Sequence, residues 1–283
     1  MRTTTKNGFE IINGKCVIPE GVMEIPEDEF IDCNNLREIV IPSTITSIPP
    51  AAFFYCTSLE RVQLPASLKE IGHQAFEGCS KLRSIDIPEG VTRLRHLFYR
   101  CSSLKSIMIH KSVSYVDVWA FGRCARLKTI EVDPDNPFYK SESNCCLTKD
   151  GETLVFGCKT SAIPSGVKNI EDFAFYGCKG LKSITIPDGV ECIGENAFDD
   201  CTHITSINIP SSVKHVGHAA FGGAPLKDIY LSSKNPVECV DLRKGLAYNP
   251  PKDINLHVPE ESVHLYKQHP YFKKFRMIMS WNG

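Results

Sequence analysis

A phenylalanine recurs along the chain at Phe30, Phe53, Phe76, Phe98, Phe121, Phe175, Phe198 and Phe221, in steps of 23, 23, 22, 23, 54, 23 and 23 residues. Three residues after it stands Cys33, Cys56, Cys79, Cys101, Cys124, Cys178 or Cys201, with Ala224 in the eighth copy. Each copy continues as Leu-x-x-Ile-x-Ile-Pro and Val-x-x-Ile-Gly, clearest at Leu181, Ile184, Ile186, Pro187, Val190, Ile193 and Gly194. Self-similarity at a fixed period of this length marks a repeat architecture. One such unit cannot cover its own apolar face, whereas copies stacked in register can.

Ile-x-Ile alternates at period two with β-branched residues, as a short strand with one buried face requires. The following Pro ends the strand because it has no N–H for a ladder. Gly after the second Ile permits a turn, and Ala-Phe-x-x-Cys places small, large and small apolar groups on one side of a helical turn. The expected fold is an α/β repeat solenoid of short parallel strands and helical turns. With strands ~4.8 Å apart, eight rungs span roughly 40 Å around one continuous core.

This unit closely resembles the BspA-type leucine-rich repeat over residues 17–231. The resemblance implies a right-handed, curved solenoid with a role in binding or adhesion to host or bacterial surface proteins, at the cell surface or secreted. Local departures are His110 where Pro is expected, Ala224 in place of Cys, and a copy beginning at Phe76 that is one residue short.

Three regions leave the pattern and set the expected boundaries: residues 1–29, a solenoid over 30–231, and residues 232–283. Before Phe30, the segment from Val17 through Val22 and Ile25 is a second half-repeat without its first half, an N-terminal cap. Between about 133 and 163 the interval grows by 31 residues, opening with Asp133-Pro134-Asp135-Asn136-Pro137. Asp150-Gly151 between two apolar runs, 145–148 and 152–156, predicts a β-hairpin there. After Leu231, residues 254–258 read as a strand, Pro259-Glu260-Glu261 starts a helix running to about His269, and 271–279 reads as a returning strand. The family resemblance adds that a hairpin insertion recurs and that a strand, Val-Pro and a Tyr-containing helix close the array, matching Val258, Pro259 and Tyr266. This is a C-terminal strand-helix cap over the last rung.

Composition narrows the function further. Lys+Arg number 32 against 33 Asp+Glu, a formal net charge of −1, which gives no general field to gather nucleic acid or an anionic membrane. No apolar run approaches the ~18 residues that span a bilayer, so no membrane insertion is expected. Residues 1–15 contain no apolar leader core. Either the protein stays inside the cell, leaving a cytoplasmic location as the alternative, or this chain starts after its leader was removed.

The cysteine column is the most tempting metal or disulfide signal, yet it places the thiols one rung apart beside core Phe residues. Buried free Cys packs as a small hydrophobe, and ligand spacings such as Cys-x-x-Cys are absent. Cys145, Cys146 and Cys158, in the insert, are better pairing candidates, with the reduced form expected there too. His215 and His218, with His257, His264 and His269 further on, make a zinc site conceivable. His218 shares the repeat slot of His73, however, which reads as a solvent-facing position that tolerates His. Asp133, Asp135 and Asn136 resemble the start of a calcium loop without its Gly and distal Glu. No nucleotide, nucleophile-elbow or zinc-protease motif occurs. Carboxylates such as Glu27, Asp28, Glu29, Asp199 and Asp200 fall in repeat turns. No enzyme, metal or cofactor is expected.

Stacking instead exposes fixed columns of side chains. Arg37, Glu60, Arg83, Lys105, Lys128, Lys182, Thr205 and Lys227 form one, and Ser84, Ser106, Thr129, Ser183 and Ser206 its neighbour. These read as scaffold and solubility features. A third column, Val40, Gln63, Asp86, Met108, Glu131, Thr185, Asn208 and Tyr230, varies most and mixes apolar with polar groups, so it is the candidate for partner specificity. Trp119 and Phe173 share the slot held elsewhere by Asp28, Ala51, Gln74, Asn196 and Ala219, an outward position by its chemistry. They bracket the insertion, and are either covered by it or left as an anchor for a partner. The expected function is non-enzymatic binding of a macromolecule, a protein first. An intracellular interaction scaffold and a carbohydrate-binding module are the alternatives.

Overall fold

A computed structural model describes residues 2–239 and 253–281, which form two compact units, Met1–Ser141 and Glu142–Gly283. The C-terminal cap expected over 232–283 includes residues 240–252, 282 and 283, which lie outside the described ones.

Both units are β-solenoids whose rungs repeat three sides. On the first side, Ile-x-Ile segments pair in parallel: Lys15–Val17, Glu38–Val40 and Arg61–Gln63, then Ser106–Ile109 with Thr129–Val132 in the N-terminal unit. In the C-terminal unit the same side is Ser206–Ile209, Asp228–Leu231, Asn255–Val258 and Met277–Ser280. Alternate residues of these strands, such as Ile107, Ile109, Ile207 and Ile209, are buried. The next residue turns the chain: Leu68 N–H donates to Pro65 O (3.1 Å) and Val113 N–H to His110 O (3.1 Å), so His110 closes the same turn as proline.

The second side is built from two-residue strands, for example Asn169–Ile170, Cys192–Ile193 and His215–Val216, again parallel. The glycine that follows has a reason other than turn-making. A Cβ on Gly72 would lie 2.4 Å from Pro50 N, and one on Gly194 2.5 Å from Asp172 N. The preceding rung's backbone occupies that space, so only a bare Cα fits.

The third side corrects the expectation of helical turns. Ala-Phe-x-x-Cys is a series of tight turns with two left-handed residues per rung, except at Phe121, where Arg123 alone is left-handed. Two residues before the Phe, Asp28, Ala51, Gln74, His96, Phe173, Asn196 and Ala219 have φ of 49–61°. Two after it, Asp32, Tyr55, Gly78, Arg100, Arg123, Gly177, Asp200 and Gly223 have φ of 53–74°. A helix cannot hold such residues. The Phe N–H donates instead to the next rung, Phe53 to Ala75 O (2.8 Å), Phe98 to Ala120 O (2.9 Å) and Phe198 to Ala220 O (2.6 Å). Among the described residues the one α-helix is Val263–Gln268, preceded by the 3-10 turn Glu260–Ser262.

The insert contributes an antiparallel pair, Cys145–Thr148 with Thr153–Phe156, the latter passing into the parallel ladder at Asn169–Ile170. At the start of the N-terminal unit, Arg2–Thr4, Glu10–Ile12 and Lys15–Val17 form an antiparallel meander, and the Phe9 ring stacks on Phe30 at 5.9 Å. At the other end Tyr266 is fully buried, its hydroxyl 3.0 Å from Ser233 O and 2.8 Å from Asn235 O, within a cluster of Tyr271, Phe272 and Phe275. Residues 271–279, read as one strand, divide into the 3-10 turn Phe272–Lys274 and the strand Met277–Ser280.

Candidate functional site: the outward strand face

Where the first side is strand, it fixes outward side chains on a backbone ladder between rungs; residues 84–87 and 183–186, which carry Asp86 and Thr185, form no strand. In the N-terminal unit Val40 stands beside Gln63, and Met108 beside Glu131. In the C-terminal unit Asn208 stands beside Tyr230. Gln63, Asp86, Met108, Glu131, Thr185 and Asn208 are exposed, while Val40 and Tyr230 are half-buried. Val17, 55% exposed, extends the same column by one rung next to Val40.

Beyond Tyr230 the column continues through two positions that the repeat period alone did not reveal, His257 and Met279. The Tyr230 and His257 rings stack at 4.2 Å and 16°, and Trp281 meets Tyr230 edge-on at 5.1 Å. Asp228, one outward column away, accepts hydrogen bonds at its Oδ1 from Asn255 Nδ2 (3.1 Å) and from His257 Nε2 (2.8 Å). The bonds from His257 and Asn255 hold the Asp228 carboxyl below its usual range, so it is a carboxylate at neutral pH.

Trp119 and Phe173 sit two residues before the Phe on the third side, both half-buried, with the left-handed backbone at Phe173 (φ 60°). Phe173 meets Tyr176 edge-on at 5.7 Å. Trp119 stacks on His96 at 5.9 Å and meets Tyr99 edge-on at 5.8 Å. His96 also faces Glu77 across 3.3 Å and the His73 ring at 5.2 Å, and burial pushes its pKa down. Asp28 and Asn196 in this slot are types that accept the left-handed backbone most readily, whereas Ala51, Gln74, His96 and Ala219 are not.

The thiol column has a specific structure. Cys56 Sγ donates to Phe30 O (2.8 Å), Cys79 to Phe53 O (3.2 Å), Cys101 to Phe76 O (3.1 Å), Cys124 to Phe98 O (3.1 Å) and Cys201 to Phe175 O (3.2 Å). Every cysteine whose side chain is described, including Cys145, Cys146 and Cys158, is a free thiol. Burial pushes the pKa of Cys56, Cys145 and Cys178 up to about 12, and those of Cys79, Cys101 and Cys201 well above the ordinary thiol value. Such thiols are protonated at physiological pH, and the thiolate is the form that attacks or ligates. Among the described residues no group of three or more His, Cys, Asp or Glu could hold a metal ion. Asp133 and Asn136 are spent on the turn: Asp133 Oδ1 accepts from Asp135 N–H, and buried Asn136 Oδ1 from Phe138 and Tyr139 N–H.

Stacked parallel rungs, an apolar spine and an ordered outward face define a leucine-rich-repeat-type scaffold. The model of the BspA type leucine rich repeat region matches residues 23–145 and 156–240 in six copies, and the chain belongs to this family. Among solved structures, a leucine-rich repeat protein of Eubacterium ventriosum matches with TM-score 0.70 at 22% identity, over 98% of this chain and 82% of its own. The pneumococcal vaccine antigen PcpA matches with TM-score 0.58 at 16% identity, over 100% of this chain and 99% of its own. At these identities the likeness is one of fold. No curated protein matches the sequence significantly. Family and fold are those of repeat scaffold proteins, and among the described residues no helix is long and apolar enough to cross a membrane.

Proposed function

We propose that the chain is a non-enzymatic binding protein that presents its outward strand face to a protein partner at a cell surface. The carrying observation is the pair of parallel ladders that hold exposed Val17 and Gln63 on one and exposed Met108 and Glu131 on the other. A partner bound there orders few groups on this side, which is where rigid scaffolds gain affinity. Trp119, on the third side, is the second anchor of this reading. The surface location rests on the family. The free thiols of the described cysteines favour the intracellular scaffold as the second location, since thiols stay reduced there.

The test places a photo-crosslinking residue at Met108, at Gln63 or, as a control on the third side, at Arg123, and exposes the intact protein to surface extracts and to cytosol. Crosslinks from Met108 and from Gln63 to one protein are expected, those from Gln63 being lost in Met108→Asp. Crosslinks from Arg123 alone would move the interface off the strand face. Substituting Trp119→Ala separates the anchor from a packing role: lost capture at unchanged melting supports the anchor, and a large fall in melting supports packing.

A further inference from the structure

Four parallel strands at the end of the C-terminal unit carry two outward columns, Ser206, Asp228, Asn255 and Met277 in one, and Asn208, Tyr230, His257 and Met279 in the other. Three rings gather on them, Tyr230 parallel to His257 and Trp281 at an angle to Tyr230. Beside the rings the polar groups are already oriented by one another. Asn255 and His257 both donate to Asp228 Oδ1, and Ser232 Oγ reaches Asn208 Oδ1 at 3.5 Å. The carboxylate keeps its second oxygen for an incoming donor, since each ionised carboxylate accepts at two atoms.

We propose that this Tyr230–His257–Trp281 platform, with Asp228 and Asn208 at its side, is a binding site for a neutral saccharide. The inference rests on the reading of the outward strand face as a binding surface and gives its C-terminal end a ligand chemistry. A partner for these groups needs an apolar C–H face and several hydroxyl donors a few ångströms apart. A pyranose ring has both: its polarised C–H bonds meet the negative face of an aromatic ring, and its hydroxyls meet the carboxylate and amide. The Asp228 carboxylate disfavours an acidic sugar by like-charge repulsion. At Asp228–Leu231 and Asn255–Val258, which carry Tyr230, Asp228 and His257, the strand N–H and C=O groups are already used between rungs on both sides, so a peptide strand cannot add at these rings.

The chain has two tryptophans, Trp119 and Trp281. In a Trp119→Phe background, Trp281 fluorescence alone reports on the platform. The probes are lactose, maltotriose, cellotriose and triacetylchitotriose, with sialyllactose as the acidic comparator. Saturable change with at least one neutral sugar is expected, with Kd on the order of 1 mM, as small wet sites give. Asp228→Asn keeps the shape and hydrogen bonds of the side chain and is expected to weaken it about tenfold or more, and Tyr230→Ala to abolish it. Lys111→Ala, in the other unit, is expected to leave it unchanged. Circular dichroism checks that each variant is folded; if Tyr230→Ala is not, Asp228→Asn decides alone. No saturable change with any neutral sugar at about 20 mM, undiminished binding by Asp228→Asn, or tighter binding of sialyllactose would overturn the proposal. Loss of Met108 crosslinks with sugar binding intact would instead remove the protein-partner reading alone.

Discussion

In the N-terminal unit six phenylalanine rings stack without interruption, Phe9, Phe30, Phe53, Phe76, Phe98 and Phe121, at 5.3–6.0 Å between centroids. In the C-terminal unit the stack has three, Phe175, Phe198 and Phe221, and it begins on a glycine. Gly157 N–H donates to Ala174 O (2.9 Å) just as Phe175 N–H donates to Ala197 O (2.7 Å), so Gly157 occupies the Phe slot of the rung that the insert builds. The Phe175 ring fills the space a side chain would have taken, and a Cβ on Gly157 would lie 2.1 Å from it. Within the C-terminal unit the stack thus starts beside a rung that supplies no ring, while the backbone bond from Gly157 to Ala174 repeats the one from Phe175 to Ala197.

The contrast is broken most severely by removing rings. Phe53→Ala takes a fully buried ring from between two others and is expected to cost about 3–5 kcal/mol, read from the urea midpoint at unchanged slope. Phe175→Ala, with a ring on one side and a glycine on the other, is expected to lie at the lower end of that range. An equal or larger loss at Phe175 would mean that ring–ring stacking is not what holds the spine.

Alkaline pH tests the thiols beside that spine. Their folded-state pKa values are raised, so the protonated thiol is the form the fold retains, and the stability they contribute is complete below the ordinary thiol value of 9.0. It is lost as pH rises from there through the folded value, about 12 for Cys56, at roughly 1 kcal/mol per pH unit for each thiol. Cys79→Ala is expected to flatten this alkaline slope while weakening the protein at pH 7 through its lost bond to Phe53 O. Labelling of the native protein is expected to reach half-buried Cys33 well before Cys79 or Cys101. Rapid labelling of Cys79 would contradict the ladder.

Filling the glycine slot is a smaller perturbation of opposite kind. Gly157→Ala forces the Phe175 ring or the backbone to move and is expected to destabilise by about 1–3 kcal/mol. In a Phe175→Leu background, where the ring is gone, the penalty is expected to shrink. A penalty unchanged by Phe175→Leu would place the strain in the backbone rather than in the spine.

How far each region could be read from its sequence follows from the same physics. The first side was legible in most copies because Ile-x-Ile at period two with a following Pro favours a strand, but residues 84–87 and 183–186, with the same pattern, form none. Ala-Phe-x-x-Cys was not, since its spacing suits a helical turn equally well, and the left-handed backbone falls on residues such as Tyr55, Arg100 and Phe173. Asp32, Gly78, Gly177, Asp200 and Gly223 in the slot after the Phe carried the signal, because these types tolerate positive φ. Tyr230 was reached through the repeat column, but His257 and Trp281 were not. Leu256-His257-Val258-Pro259 repeats the form of Ile207-Asn208-Ile209-Pro210, and only strand pairing showed that it continues the same ladder. The insert's hairpin was visible in Asp150-Gly151. Gly157 was not, because a glycine in a Phe slot breaks the periodicity that would have located it.

The smallest effect concerns the left-handed slot before the Phe, which holds His96 in the N-terminal unit and Phe173, Asn196 and Ala219 in the C-terminal one. Burial lowers the His96 pKa; Glu77 and Asp117 pull it the other way, while His73 adds to the lowering. A folded pKa below the unfolded value of 6.5 means that the unfolded chain takes up the proton first as pH falls. The stability tied to neutral His96 is therefore complete above 6.5 and lost as pH falls from there towards the folded value. His96→Gln removes the titration, and Gln74 already occupies this slot one rung earlier at φ 60°. The expected outcome is a urea midpoint that falls less for His96→Gln than for the parent between about pH 7 and pH 5. The Trp119 emission is expected to shift over the same interval in the parent, because that ring stacks on the titrating imidazole. A steeper acid loss in His96→Gln than in the parent would show instead that Glu77 holds His96 charged, and would reverse the sign of the pair.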